Sequence, residues 1–296
     1  MYAIFGNGQL AQHLAFAMDK YFVKNEIVGR RAPTDVFRYR NTDIDFDASL
    51  ASSKQVQDIA KNYDLIIYTS SLRDIAACEK DPVMADRVNW LVPTALASYT
   101  KVVYISTDYV FGKLSMDYPR PITGKIGEGE DPSSKYFSGG APSIYGRTKL
   151  SGERGVLNNG GSVVRISSPF GKWKSPLRPS FVDMVVSNMT HLFLPIDQIV
   201  SPTYLPEAAE VLANKEILDS LEGVNHLVNE GSGSFFDIGN WARSSARNKS
   251  RTSLRYSDDK TDKLRPTYSA LQNNKLPKLS HWAEAVSEYL KGTGNE

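Results

Sequence analysis

The chain has one cysteine, Cys78, in 296 residues, which excludes an internal disulfide and makes a reducing compartment the expectation. Histidine is nearly as scarce. His13, His191, His226 and His281 lie far apart, no zinc-type ligand spacing exists among them, and no metal is expected. No apolar run approaches the ~20 residues that span a bilayer. The start, Met1-Tyr2-Ala3-Ile4-Phe5, has neither the basic residues nor the long apolar stretch of a secretory signal. A cytoplasmic protein with no membrane partner is therefore expected. An excess of one charge is also missing: Lys+Arg 35 against Asp+Glu 33 leave +2, which gives no electrostatic reason for a nucleic-acid partner. What is present, 41% hydrophobic and 23% charged residues with 21 Gly and 15 Pro, is the composition of an ordinary globular protein of one large α/β unit or up to two domains.

Through the first two-thirds of the chain, short apolar runs alternate with helix-length amphipathic stretches, the pattern of β-α-β units in a parallel sheet. The runs predict strands near 2–5, 26–29, 64–69, 102–106 and 162–166, and helices opening at Gly8 and near 52–62, 81–99 and 145–157. Pro93 sits inside the third helix and should bend it, since proline has no N–H to donate. The stretch 112–143 is rich in Gly, Pro and Ser and reads as one long loop. Beyond 170 the elements shorten: an amphipathic segment near 178–190, a helix near 206–221, a strand near 225–229 and a closing helix near 280–291. Trp282, Val286, Tyr289 and Leu290 share one face of that last helix, which marks it for the core. The expectation is an α/β fold, a Rossmann-type doubly wound parallel sheet over 1–170 containing the loop 112–143. A smaller, mostly C-terminal lobe covers 171–296, with some segments returning to the first unit.

The first strand runs into Gly6-Asn7-Gly8-Gln9-Leu10-Ala11, a G-x-G-x-x-A turn. In such a turn the first glycine permits the bend, the second lets the backbone approach a pyrophosphate, and the small third residue lets helix and strand pack closely. Gly6, Asn7, Gly8, Gln9 and Leu10 are thus candidates to hold a dinucleotide diphosphate at the helix N-terminus. The bland alternative is a glycine turn between strand and helix. The second strand ends in Gly29-Arg30-Arg31 with no acid at its tip. Cations there suit a 2′-phosphate where a carboxylate would suit a free ribose hydroxyl, so NADP(H) is preferred and NAD(H) left open. Two solvated arginines are the other reading.

Reducing a ketone with a nicotinamide cofactor requires a proton donor near the carbonyl oxygen, and a tyrosine beside a cation can serve. Tyr-x-x-x-Lys on a helix places both side chains on one face, one turn apart. The spacing occurs three times, at Tyr109/Lys113, Tyr145/Lys149 and Tyr256/Lys260. Only Tyr145 opens a helix-like run between two strands. At the end of the preceding strand Ser106-Thr107-Asp108 offers hydroxyls for a developing oxyanion, or simply caps for local backbone.

Together these residues resemble the extended short-chain dehydrogenase/reductase superfamily and, within it, the dTDP-4-dehydrorhamnose reductase family. The resemblance rests on GNGQLA at 6–11, DPVMADRVN at 81–89, YISTDYVFG at 104–112, YGRTKLSGE at 145–153, IDQIVSPTYLPEAAEVL at 196–212 and LRPTYSALQNNKL at 264–276. It implies NADPH-dependent reduction of the 4-keto group of a nucleotide-linked 6-deoxysugar. Thr107 would be the hydroxyl partner, Tyr145 the proton donor and Lys149 its electrostatic partner. Ser70, Ser71 and Asn89, with Tyr145 and Lys149, would face the cofactor. Ser106, Asp108, Tyr109, Ser167, Ser168 and Arg265 would face the nucleotide-sugar substrate, with Arg165 nearby. Two departures stand out: Thr107 and Tyr145 are 38 residues apart, wider than the family's usual spacing, and Ser168 stands where the family has a sugar-stacking tryptophan. Two alternatives keep the same residues, a nucleotide-sugar 4-epimerase or epimerase-reductase, and a non-catalytic cofactor-binding regulatory subunit. A homodimer is the assembly left open. Arg243, Arg247, Lys249, Arg251 and Arg255 read as a solvated face.

Overall fold

The computed structural model describes residues 1–30, 39–114, 124–138, 140–173, 179–187, 191–246, 253–257 and 263–292. Seven parallel strands form the central sheet: β1 (Tyr2–Phe5), β2 (Asn25–Gly29), β3 (Ile44–Asp45), β4 (Leu65–Tyr68), β5 (Lys101–Thr107), β6 (Ser162–Ile166) and β7 (Gly223–His226). Their spatial order is β7-β6-β5-β4-β1-β2-β3. The order reverses at β1, so a crevice opens beyond the carboxyl ends of β1 and β4, where doubly wound sheets take ligands. β1 and β4 are buried at every residue, as befits parallel strands covered on both faces.

Helices cover both faces. On one side α1 (Gln9–Lys20) packs against α8 (Leu205–Ala213), with Leu14, Met18, Leu205 and Leu212 fully sealed and α9 (Lys215–Ser220) following. Each such leucine contributes about 1.5–3 kcal/mol by leaving water. The helix expected at 206–221 is broken at Asn214, whose carboxamide instead caps α9 through the N–H groups of Glu216 and Ile217. On the other side lie α2 (Ser53–Ala60), α3 (Ile75–Lys80), α4 (Pro82–Asp86), α5 (Val92–Ala97) and α6 (Ile144–Asn158).

The long helix expected over 81–99 is split by a π-turn at Arg87–Leu91 between α4 and α5. Pro93 explains part of this, because its missing N–H leaves the Asn89 carbonyl without a helical partner, and the Tyr104 hydroxyl donates to that carbonyl instead. The Tyr68 hydroxyl serves the Val88 carbonyl in the same way at 2.7 Å. Two tyrosines of the sheet thus hold the broken helix against it.

A separate apolar cluster lies in the C-terminal part of the chain. It joins α7 (Phe181–Val186), α10 (Phe235–Ser245) and α11 (Trp282–Gly292) to a two-stranded pair, His191–Pro195 with Ser253–Ser257. Helix α10 and the strand at 191–195 were not legible in the sequence. The stretch 112–143 is more than a loop: residues 113–114 pair with 137–138, and Ile126 bridges Leu271. Ile126 and Phe137 are buried with Val110, Phe111, Val228 and Leu271. Of the basic cluster, Arg243 is half-buried and Arg255 exposed, while Arg247, Lys249 and Arg251 lie outside the described residues.

Candidate active site

The turn after β1 forms a cradle made of backbone. Gly6 has φ +123°, and a Cβ on it would stand 2.5 Å from Thr69 Oγ1 and 2.9 Å from the Ser70 nitrogen. Gly8 occupies the N-cap position of α1 and offers no side chain to the first N–H groups, and a Cβ there would meet nothing within 4 Å. Open N–H groups at a helix N-terminus beneath free space fit a diphosphate. The Asn7 amide donates to the Arg30 carbonyl at 3.3 Å and its oxygen accepts from Gln12 at 2.6 Å, tying the turn to the tip of β2.

Two expected cofactor residues have other tasks. The Gln9 amide donates to the carbonyls of Gly171 and Lys172, at 2.7 and 3.1 Å, so it holds the segment beyond β6. Leu10 is buried in the core, which leaves only its N–H to face the cradle. Arg30 is exposed at the tip of β2, and Arg31 lies outside the described residues. The fold also brings an acid that the sequence spacing hid: β3 pairs with the end of β2, Gly29 opposite Asp45. Asp47 follows; against burial, which raises it, the Ser49 hydroxyl and N–H, donating to its carboxylate at 2.6 and 2.8 Å, hold its pKa below the usual range, and Arg30 adds to this.

The catalytic candidates meet beyond the ends of β4 and β5. Tyr145 stands in the first turn of α6, which is capped by Ser143 accepting from the Gly146 N–H at 3.1 Å and by Glu79 accepting from the Ile144 N–H at 2.7 Å. The glycine after the tyrosine is required, since a Cβ at Gly146 would come within 2.2 Å of the Tyr109 carbonyl oxygen. That contact seats α6 on the end of β5, and the Tyr109 ring meets the Tyr145 ring edge-on, centroids 5.7 Å apart. Burial pushes the Tyr145 phenol up to about 12, against the hydroxyls of Thr107 and Ser71, which lower it. Asp108 raises it further, and Arg73, from the loop after β4, lowers it. Ser71, Thr107 and Tyr145 are therefore brought together. Arg73 is a cation that sequence reading missed, since nothing in its local pattern points at the site.

Lys149, one turn below Tyr145, is buried. Its ammonium donates to the Ile105 carbonyl at 2.6 Å and lies 3.9 Å from the centre of the Tyr104 ring. Burial lowers it to about 7, with Glu153 pulling the other way. Asn89 is completely buried, and its amide is fully used: the oxygen accepts from Ser71 Oγ and Leu72 N, and the nitrogen donates to Leu72 O and Thr148 Oγ1. Its place is that of a brace between the β4 exit and α6.

Asp108 is turned inward in the same way. It is 1% exposed, with one oxygen accepting from Thr107 Oγ1 at 3.2 Å and the other from Ser269 Oγ at 2.5 Å. Both oxygens are spent within the protein, so Asp108 reaches a substrate only through Thr107. Ser106 Oγ is buried without a hydrogen-bond partner, a polar atom left for a ligand or water. Ser70 is half-buried beside the cradle, its N–H bonded to the Phe5 carbonyl at 2.8 Å. The Ser167 N–H donates to Thr203 Oγ1 at 3.1 Å, and Ser168 follows with φ +39°. Arg265 is exposed on the segment that leads to Ser269. Arg165 turns inward: its guanidinium grips Glu153 of α6 at 2.7 and 2.9 Å within the core.

Comparison with known proteins follows the same lines. The family model described as the RmlD substrate binding domain matches residues 3–294. A dTDP-4-dehydrorhamnose reductase of Mycolicibacterium smegmatis is 27% identical over 252 residues, covering 79% of this chain and 72% of that protein. Methionine adenosyltransferase 2 subunit beta of Pongo abelii is 29% identical over 201 residues, covering 60% of this chain and 54% of that one. The crystal structure of dTDP-4-dehydrorhamnose reductase from Bacillus anthracis in complex with NADP is similar over 99% of both chains, with 25% identity and a TM-score of 0.76.

Proposed function

Because the chain belongs to the family of the RmlD substrate binding domain, we propose that it is an NADPH-dependent reductase of the 4-keto group of a nucleotide-linked 6-deoxysugar. The observation that carries this reading is the meeting of Ser71, Thr107 and Tyr145 at the same sheet edge as the Gly6–Gly8 cradle. The cradle would hold a diphosphate through the first N–H groups of α1, and Arg30 would meet a 2′-phosphate. The bound nicotinamide supplies hydride to the carbonyl carbon. Tyr145, pushed up to about 12, keeps its proton through the neutral range and gives it to the carbonyl oxygen as charge develops there. Thr107 brings a hydroxyl to that oxygen, and Arg73 steadies the phenolate left behind. The NADP in the B. anthracis structure supports the choice of cofactor.

A panel of dTDP-, UDP- and GDP-4-keto-6-deoxyhexoses, each followed for NADPH oxidation with the product read by NMR, tests the proposal. Stoichiometric oxidation with a new secondary alcohol is the expected result. Sugar inversion without NADPH oxidation would mean an epimerase. The likeness to methionine adenosyltransferase 2 subunit beta favours a second reading, a cofactor-binding regulatory subunit, for which NADPH binding without turnover on any sugar would speak.

No described helix is long and apolar enough to cross a membrane. The cytoplasmic location we propose rests on the single cysteine, Cys78, which suits a reducing compartment. A homodimer is the assembly we propose. Its support is the set of apolar side chains left exposed on α4, the π-turn and their junction, Val83, Met84, Trp90 and Leu91, and sedimentation at two concentrations tests it.

A further inference from the structure

Asp108 is a sealed carboxyl group hydrogen-bonded to two hydroxyls. Thr107 adjoins it at the end of β5, Ser269 reaches it from the strand Tyr268–Ser269, and Ser167, at the exit of β6, also supports its charge. Among the described residues it makes no ion pair. The titratable group facing it is Tyr145 on α6, and the charge beyond that is Arg73, from the loop after β4. Lys149, on the same helix as Tyr145, gives its ammonium to the Ile105 carbonyl.

The direction of the hydrogen bonds follows from this geometry. A carboxylate can only accept, so the ionised Asp108 accepts a hydrogen bond from the Thr107 hydroxyl. Thr107 then meets the cleft with lone pairs alone, and it already accepts from the Tyr109 N–H at 3.3 Å. A ketone being reduced needs donors at its oxygen. A protonated Asp108 reverses the chain: Ser269 still donates to one oxygen, the other carries the proton to Thr107, and the Thr107 hydrogen is free to point at the ketone.

We propose that Asp108 and Ser269 are positioning residues that set, through the protonation of Asp108, whether Thr107 donates to or accepts from the substrate. The inference rests on the reductase reading for its catalytic meaning but not for the titration itself. Burial raises Asp108 to about 6, and the hydroxyls of Ser269, Ser167 and Thr107 limit the rise. The switch therefore operates just below neutral pH.

Asp108→Asn is the sharpest probe, because an amide can accept from Ser269 and donate to Thr107 permanently, as the protonated acid does. In the wild type, kcat/KM for ketone reduction should rise as pH falls through about 6. In Asp108→Asn that limb should vanish, leaving a flat profile. Ser269→Ala removes a hydrogen bond to the carboxylate and should move the limb upward by about one pH unit. Asp108→Ala, which can neither hold nor release the Thr107 hydrogen by protonation, should likewise lose the limb.

The carbon-13 signal of the Asp108 carboxyl, followed through a pH titration without substrate, reads the same switch independently of turnover. Its midpoint should lie near 6 and move upward in Ser269→Ala. An unchanged midpoint in Ser269→Ala, or a wild-type pH limb in Asp108→Asn, would overturn the inference. Absence of turnover on all sugars would overturn the reductase reading alone and leave the titration standing.

Discussion

The cofactor cradle and the catalytic cluster sit at one edge of one sheet, yet they are built in opposite ways. The cradle is backbone, contributed by adjacent residues from Gly6 to the start of α1, and its shape comes from what glycine lacks. The cluster is side chains from four remote places, Ser71 after β4, Thr107 ending β5, Tyr145 opening α6 and Ser269 in the C-terminal part. A backbone site tolerates side-chain change around it but not added volume within it. A side-chain site depends on every helix and cap that aims its members. The two should therefore respond differently to the same kind of damage.

The largest expected effect is on the cluster alone. Tyr145→Phe should lower kcat by about 10²–10⁴-fold, with NADPH affinity by fluorescence titration nearly unchanged. Equal losses in both would mean that cradle and cluster are one unit.

Next comes the support behind the cluster. Arg165→Met leaves Glu153 charged and unpaired in the core beneath α6, and should cost about 3–5 kcal/mol in urea unfolding. Double replacement by apolar residues of like size should recover most of that loss. If the single variant is as stable as wild type, the pair does not hold α6.

Gly6→Ala strikes the cradle. Strain at φ +123° and contact with Thr69 and Ser70 should cost about 1–3 kcal/mol and lower NADPH affinity, while the Tyr145 environment, read by tyrosine titration, stays as it was.

A last effect, read against pH, concerns Lys149, about 7 in the fold against 10.5 for an ordinary lysine. Between those values the unfolded chain binds more protons than the folded one, so stability rises with pH across that window. Below about 7 the buried ammonium is charged in both states and its cost is felt in full. Lys149→Met removes the group, and its urea midpoint should change less than the wild type's between about pH 7 and 9. A wild-type slope in the variant would assign the dependence to another residue.

How much of this was legible in the sequence follows the same division. The turn Gly6–Ala11 and the strands around it show in the chain because their determinants are neighbours: apolar runs with period, then glycines. Tyr145 could be told from the two other Tyr-x-x-x-Lys pairs by its place before a helix. Motif position carries no information about which way the amides of Asn89 and Gln9 face. Burial turned Asn89 into a brace, and the segment at 171–172 drew Gln9 away. Asp45 and Asp47 escaped notice at the tip of β2 because only sheet pairing sets them there. The strands at 113–114 and 137–138 were hidden by the Gly and Ser around them.

By itself the sequence determined the alternating β-α pattern, the bend at Gly6 and the candidacy of Thr107 and Tyr145, since hydrophobic periodicity, backbone freedom and one-turn spacing are local properties. The tertiary structure alone decided that Asp108 faces inward to Ser269, that Arg165 closes on Glu153 and that Lys149 lies sealed beside Tyr104. Those outcomes depend on which distant groups share a volume from which water is excluded. There, each polar atom must find a partner within about 3 Å, whatever its distance along the chain.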